Sequence, residues 1–426
     1  MVGKKIFYGW FIVLGAFLAL MGSSFATWSV SGLMPAMIKE LGWSRAEISA
    51  GLALNALVMA VMYPVLGALL DRIGVRLIVF AGGLIAFVSL LAVGYLVRTP
   101  LQFILLYGLI MGIGTSCAYI MPNVTTVRRW FIKRAGTAMG IVYVGSSVGM
   151  FLGPPLSVAM LPALGWRGSY VVFGVLAFVA ISTGAFLLRP NPESMGTYPD
   201  GQAPDPELMK KAEFAAHQQT WSVRELFKVP AFYLLIVMNA AVLLGYTGLQ
   251  LSFITWANLD MKLPLAVAAG VYSGAFIVAG IIGRLVVGGG ADSIVLKWGR
   301  KPAILFSIGL FAIGLFYGSM MQDLTGLTIM AVLTGFGSMA AVSLTQVYAG
   351  DLFGAVSLPT VNGTRGLIAL MLASTGPILF GRIHDATGSY NMALILAGIL
   401  AVVSFVSVVA IRPPAKKDVV KAVAGE

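Results

Sequence analysis

Long apolar runs, broken by short polar or Pro/Gly-rich stretches, dominate the chain from end to end. A helix crossing the hydrocarbon core needs about 20 mostly apolar residues. Twelve runs meet that length, at 7–34, 47–70, 77–97, 101–127, 135–160, 168–189, 229–257, 264–290, 302–321, 324–349, 363–384 and 389–411. The pattern predicts an all-α membrane protein of twelve transmembrane helices. Lys4 and Lys5 precede the first run in the manner of a signal peptide. That run far exceeds an apolar core of about 7–15 residues, so it is read as a retained span.

One connection is long. Residues 190–228 carry Pro190, Pro192, Pro199, Pro204 and Pro206, then a charged stretch from Glu207 to Lys228. The expected organisation is a six-span bundle over 1–189, a cytoplasmic linker over 190–228, a second six-span bundle over 229–412 and a cytoplasmic tail over 413–426. The halves repeat. Gly67-Ala-Leu-Leu-Asp71 recurs as Gly288-Gly-Gly-Ala-Asp292, Gly153-Pro154 as Gly376-Pro377, and Gly168-Ser169-Tyr170 as Gly388-Ser389-Tyr390. The offsets of these three matches stay within a few residues of one another. Duplicated membrane halves commonly bind cargo at their interface and rock about it.

Composition supports lipid as the solvent. The chain has 426 residues, 59% hydrophobic and 10% charged, against about 45–50% and 25% in soluble domains. The net charge of +12 does not point to nucleic acid, because the basic residues cluster at the ends of apolar runs. With both termini on one side, 21 of the 28 Lys and Arg fall on that side, 6 on the other, and Arg284 alone within a span. The positive-inside rule then places both termini in the cytoplasm, and short loops point to a cell (inner) membrane. The single cysteine, Cys117, permits no intrachain disulfide.

Two loops carry the family signal. Gly67-x-x-x-Asp71-Arg72-x-Gly74-x-Arg76 lies between spans two and three and resembles the loop signature of the major facilitator superfamily. The resemblance implies a fold of two pseudo-symmetric six-helix halves and transport by alternating access. Asp71 at a span end suits a gate that pairs with a neighbour in one state and releases it in another. The second copy keeps Asp292 and Gly299-Arg300-Lys301. Gly67, Asp71, Arg72, Gly74, Arg76, Gly288, Asp292, Arg300, Gly153 and Pro154 are therefore the candidate gating positions.

Three further features are Tyr8-Gly9-Trp10, the span-five opening Arg129-Trp130-Phe131-x-Lys133-Arg134-Ala-Gly136-x-Ala138-x-Gly140, and Gly283-Arg284-x-x-x-Gly288-x-x-x-Asp292. Together they resemble the monocarboxylate transporters and the related oxalate–formate antiporters over nearly the whole chain. That resemblance implies small organic anions such as lactate or pyruvate, commonly moved with a proton. It also implies a lysine in span one and an aspartate four residues before the span-eight arginine. Trp28 and Gly280 stand at those positions here, which leaves the proton-carrying group unassigned.

Arg284 is the charged residue placed deep in a span. Counted from Asp292, eight residues at ~1.5 Å rise give ~12 Å, close to the ~15 Å half-thickness of the hydrocarbon. An ionisable group there marks function by default, and a guanidinium fork matches a carboxylate. All sixteen acids fall in loops, tails or span ends, so no acid from within a span neutralises Arg284. Arg365 is read at the cytoplasmic end of span eleven, so one deep cation is expected, which favours monocarboxylates over dicarboxylates. Tyr119, Tyr143 and Asn239 fall at a height similar to Arg284. Asn123 sits one turn below Tyr119, Pro122 is expected to kink that helix, and Trp28 lies on the external side. These residues, with Arg284, form the candidate substrate site.

Gly145, Gly149 and Gly153 at four-residue spacing are read mainly as a helix-packing stripe, and His384 with Asp385 as a solvated loop end. No Walker-type loop and no His/Cys metal cluster is found. The expectation is a carrier without cofactor or metal, driven by gradients, monomeric, and not an enzyme. Alternatives are an organic-anion exchanger, an exporter of drugs or larger anions, and a non-transporting sensor signalling through 190–228.

Overall fold

The computed structural model describes residues 7–131, 134–201, 221–289, 300–321, 323–354 and 357–413. Helices account for nearly all of them, with no strand among the described residues. Apolar helical segments run over Gly9–Leu41, Arg45–Ile73, Val75–Leu96, Pro100–Trp130, Ala135–Leu187, Pro230–Asp260, Leu265–Val287, Arg300–Gly318, Leu324–Phe353, Thr360–Thr387 and Asn391–Ala410. Ala135–Leu187 is 53 residues long, more than twice what a bilayer needs. It turns at Gly165, where φ is 61° and ψ is −179°, a backbone region that side chains with a Cβ rarely enter. The segment is thus two spans, five and six, and the described residues make twelve passes.

By packing, the chain forms two compact units. One comprises Met1–Asp205 with Phe253–Ser273, the other Pro206–Ser252 with Gly274–Glu426. In the first unit, spans one and five are pressed together by small residues. A Cβ built on Gly145 or Gly149 would collide with the carbonyl oxygens of Phe17 and Met21, and one on Gly153 would lie 3.1 Å from that of Phe25. Three glycines one turn apart thus meet three carbonyls one turn apart. The second unit repeats the device where the sequence repeat predicts it. Gly376 of span eleven lies against the carbonyl of Leu244 in span seven. Gly153-Pro154, a candidate gating pair, therefore sits in a tight helix–helix contact.

Departures from α geometry are met by side chains of neighbouring helices. Span one bends at Ser29, whose carbonyl accepts from Ser157 Oγ at 3.0 Å. Span four is π-helical over Ile104–Ile110. There the Leu106 carbonyl accepts from Ser89 Oγ at 2.6 Å and the Tyr107 carbonyl from Asn55 Nδ2 at 3.3 Å. In the second unit Thr247 Oγ1 donates to the Ala373 carbonyl at 2.9 Å, next to the interruption at Ser374. In lipid such groups find no water, so they are satisfied within the protein.

The glycine stripe predicts a steric result. Gly149→Val drives two methyl groups into the span-one backbone and lowers stability by about 1–3 kcal/mol, read as earlier thermal unfolding in detergent. Gly140→Ala, where an added Cβ meets nothing within 4 Å, leaves that transition in place.

Candidate functional site

Span four breaks a second time, near its middle. The helix Met111–Ala118 ends and Ile120–Trp130 begins, with Tyr119 between them at φ −98° and ψ −143°. Pro122 explains the break. It has no N–H to offer the Ala118 carbonyl four residues back, and its ring crowds that oxygen. The released carbonyl is taken by Asn123 Nδ2 at 2.9 Å and Ser23 Oγ at 3.3 Å. Asn123 Nδ2 also reaches the Tyr119 carbonyl at 2.6 Å. From the break, the Tyr119 hydroxyl meets Ser146 Oγ at 3.0 Å, and Ser146 Oγ meets Ser24 Oγ at 2.8 Å. Tyr63 of span two lies near Tyr119 and Tyr143. The first unit therefore gathers Tyr119, Asn123 and Tyr143 around one polar centre and adds Tyr63, Ser24 and Ser146. Those three were not distinguished in the sequence, where single hydroxyls in apolar runs carry no local signal. Trp28 ends the first helical stretch of span one and is half-buried.

Arg284 and Asn239 belong to the second unit. Arg284 opens the π-helical stretch Arg284–Gly289 and is half-buried. It interacts within the structure, so it is not the bare charge expected from the absence of acids in spans. Measured from Leu265, the start of Leu265–Val287, Arg284 lies some 19 residues along, about 28 Å at ~1.5 Å each. That ruler places it toward the Val287 end of the helix. Asp292, the other reference, lies outside the described residues. Gly283 beside it packs on the Phe336 carbonyl, 2.6 Å from where a Cβ would stand.

Arg365 corrects the reading of one deep cation. It lies in the helix Leu358–Ala373, seven residues from its start, and is 2% exposed. Its Nη1 donates to the Thr345 carbonyl at 3.2 Å and its Nη2 to Asn362 Oδ1 at 2.8 Å. Thr345 Oγ1 lies 3.5 Å from Asn239 Oδ1. Asn239 thus sits in a network that ties spans seven, ten and eleven. The helix begins five residues before the 363 expected from hydropathy, because the polar Thr360 and Asn362 read as loop.

The gating candidates separate. Arg300 pairs with Asp351 at the end of span ten. Arg76 lies over the Phe186 ring, 4.9 Å from its centroid. Gly74 takes φ 80° between spans two and three, which explains a glycine there. Arg72 is exposed. The side chain of Asp71 lies outside the described residues, as does Asp292; Gly67 and Gly288 lie within helices. A pair not anticipated stands in the first unit. Arg45 holds Asp260 with both terminal nitrogens, at 3.2 and 2.6 Å, and is itself 8% exposed. Ser273 Oγ donates to the Phe151 carbonyl at 2.9 Å in the same unit.

Twelve apolar passes, repeated glycine-packed halves and polar centres within the spans define a membrane carrier. The sequence model of the Major Facilitator Superfamily matches residues 16–297 and 291–425, and the chain belongs to that family. It is similar to monocarboxylate transporter 2 of Homo sapiens, with 25% identity over 94% of this chain and 84% of that one. It is similar to the probable L-galactonate transporter of Escherichia coli, with 27% identity over 84% and 80%. The fold resembles that of a bacterial homolog of the human lysosomal transporter Spinster, with a TM-score of 0.74, 16% identity, and 95% of this chain and 98% of that one covered. The protein is an integral membrane transporter.

The Arg45–Asp260 fork gives a charge-specific expectation. Asp260→Asn removes a charge-assisted pair worth about 1.5–3 kcal/mol and lowers the unfolding temperature. Exchanging the two residues, Arg45→Asp with Asp260→Arg, recovers most of the loss.

Proposed function

We propose that the protein is a secondary carrier of small monocarboxylates, moved together with a proton through alternating access, with Arg284 binding the carboxylate. The observation that carries this reading is a half-buried arginine within span eight of a chain whose relatives include monocarboxylate transporters over more than nine-tenths of its length. A guanidinium presents parallel N–H donors to a carboxylate, and a low-dielectric surrounding strengthens that contact. Transport proceeds by alternating access. The distribution of Lys and Arg supports cytoplasmic termini in a cell (inner) membrane.

Uptake into reconstituted liposomes tests this. Labelled lactate accumulates under an inward proton gradient, and Arg284→Ala cuts the rate about 100-fold, the loss of some 3 kcal/mol of charge-assisted contact, while the variant unfolds at the wild-type temperature. Full activity in Arg284→Ala sinks the carboxylate role. Counter-flow without any response to the proton gradient replaces symport by exchange.

A further inference from the structure

Two arginines line one half-open cleft in the first unit. Arg98 follows span three, whose helix ends at Leu96, and Arg167 follows the turn at Gly165 and opens span six. Both therefore stand at the same end of neighbouring spans, where the hydrocarbon gives way to headgroups. The cleft between them measures about 610 Å³ and is walled by Tyr95, Leu164, Val171 and Val172. That volume lies within the range that takes a compact polar headgroup.

Arg167 is held in place by the backbone of span three. Its Nη1 donates to the Val97 carbonyl at 2.8 Å and reaches the Gly94 carbonyl at 3.5 Å, which are among the last carbonyls of a helix and have no partner within it. Its guanidinium lies over the Trp166 ring, 4.2 Å from the centroid. Gly94 brings the two spans together, since a Cβ there would stand 2.8 Å from the Arg167 carbonyl. Glu40 lies 3.9 Å from Arg167 Nε, with both side chains more than a third exposed, a loose pair that water weakens. Nη2 makes no hydrogen bond among the described residues. Arg98 is exposed, and its guanidinium has no partner among the described residues. The Tyr95 hydroxyl is likewise unengaged there, and Tyr95 is 70% exposed. The cleft thus holds one guanidinium fixed with donors to spare, a second with all its donors open, and a hydroxyl.

Away from the arginines the cleft runs on into apolar surface. Val88 stands two turns back from Tyr95 on the same face of span three, and Val175 and Val179 follow Val172 one and two turns along span six. All three valines are exposed, and in a membrane-spanning chain an exposed apolar face meets acyl chains. Cations at the headgroup level and a chain-facing groove beneath them match one class of molecule. A free anion would use the arginines and leave the groove. A zwitterionic lipid would bring its own cation to them. We propose that the cleft between spans three and six binds an anionic glycerophospholipid. Its phosphate takes the open nitrogens of Arg98 and Arg167, which suit phosphate oxygens in pairs, and an acyl chain lies along Val88, Val175 and Val179. Basic pockets between membrane helices are recognised by such headgroups. The site lies wholly within the first unit and uses no residue assigned to the cargo, so it stands or falls apart from the carboxylate reading.

The test is native mass spectrometry of the full chain in detergent, with dioleoyl phosphatidylglycerol and dioleoyl phosphatidylcholine, which share acyl chains and differ in headgroup charge. Wild type holds phosphatidylglycerol about tenfold more tightly, the weight of one charge-assisted contact. Arg98→Gln, at an exposed position, brings the two lipids to within about threefold of each other. Val172→Trp fills the cleft and does the same. Arg382→Gln removes an exposed arginine of the second unit and keeps the preference. Arg167 is left in place because it braces span three. The unfolding temperature without added lipid checks each variant, and if Val172→Trp unfolds early, Tyr95→Ala takes its place. A wild type that holds both lipids alike means that the arginines only anchor the helix ends, and overturns the proposal. So does a preference that survives in Arg98→Gln or in the cleft-filling variant, or one that is lost in Arg382→Gln. Displacement of phosphatidylglycerol by inorganic phosphate makes the cleft a site for a free anion and overturns the lipid.

Discussion

In hydrocarbon a backbone N–H or C=O has nothing but the protein to bond with, and each one left open costs several kcal/mol. Everything in this molecule follows from that constraint. It makes the chain helical, and it decides what happens wherever a helix is bent. Ser157 answers the Ser29 carbonyl, Ser89 and Asn55 answer the π-helical carbonyls of span four, and Thr247 answers Ala373. Small polar residues that look arbitrary in an apolar run are thus assigned to particular backbone oxygens of another helix. The break at Tyr119 stands out because side chains of two spans answer the one carbonyl that Pro122 releases.

Close approach of helices is the other half of the same economy. Helices surrounded by lipid gain little from hiding apolar surface from one another, so association depends on contact between backbones. The glycines of span five against the carbonyls of span one provide it, and Gly376 against Leu244 provides it again in the second unit. The repeat of Gly153-Pro154 as Gly376-Pro377 is therefore the sequence trace of a packing contact used twice. It does not exclude movement there, but it means that a change at these positions acts on the helix pair before it acts on any gate.

How far this was legible depends on whether the signal is local. Span number and family could be read directly, because length, apolar content and the Gly67–Arg76 loop are contiguous in the chain. The division at Gly165 followed from Pro162, Gly165 and Arg167 around it. Pro122 announced a distortion of span four, since the missing N–H is a property of the residue itself. What it released, and who would take it, depended on Asn123 and on Ser23 of another span, and only the fold shows that. Arg365 was misread for a related reason. Its partner Asn362 and the nearby Thr360 lowered the local hydropathy, so the run looked as if it started later. The polarity that feeds a buried arginine is the same polarity that disguises it as a loop.

Arg365 also changes the argument about cargo. A single cation within the spans seemed to suit a single carboxylate, and two arginines within helices remove that count as a reason. Charge alone does not make the second one available, however. Both terminal nitrogens of Arg365 already donate, to the Thr345 carbonyl and Asn362 Oδ1. Through Thr345 the residue is coupled to Asn239. Withdrawing it toward an anion would leave a carbonyl in span ten unsatisfied in a place where such losses are not made good by water. Arg365 is better understood as the cross-brace of spans seven, ten and eleven.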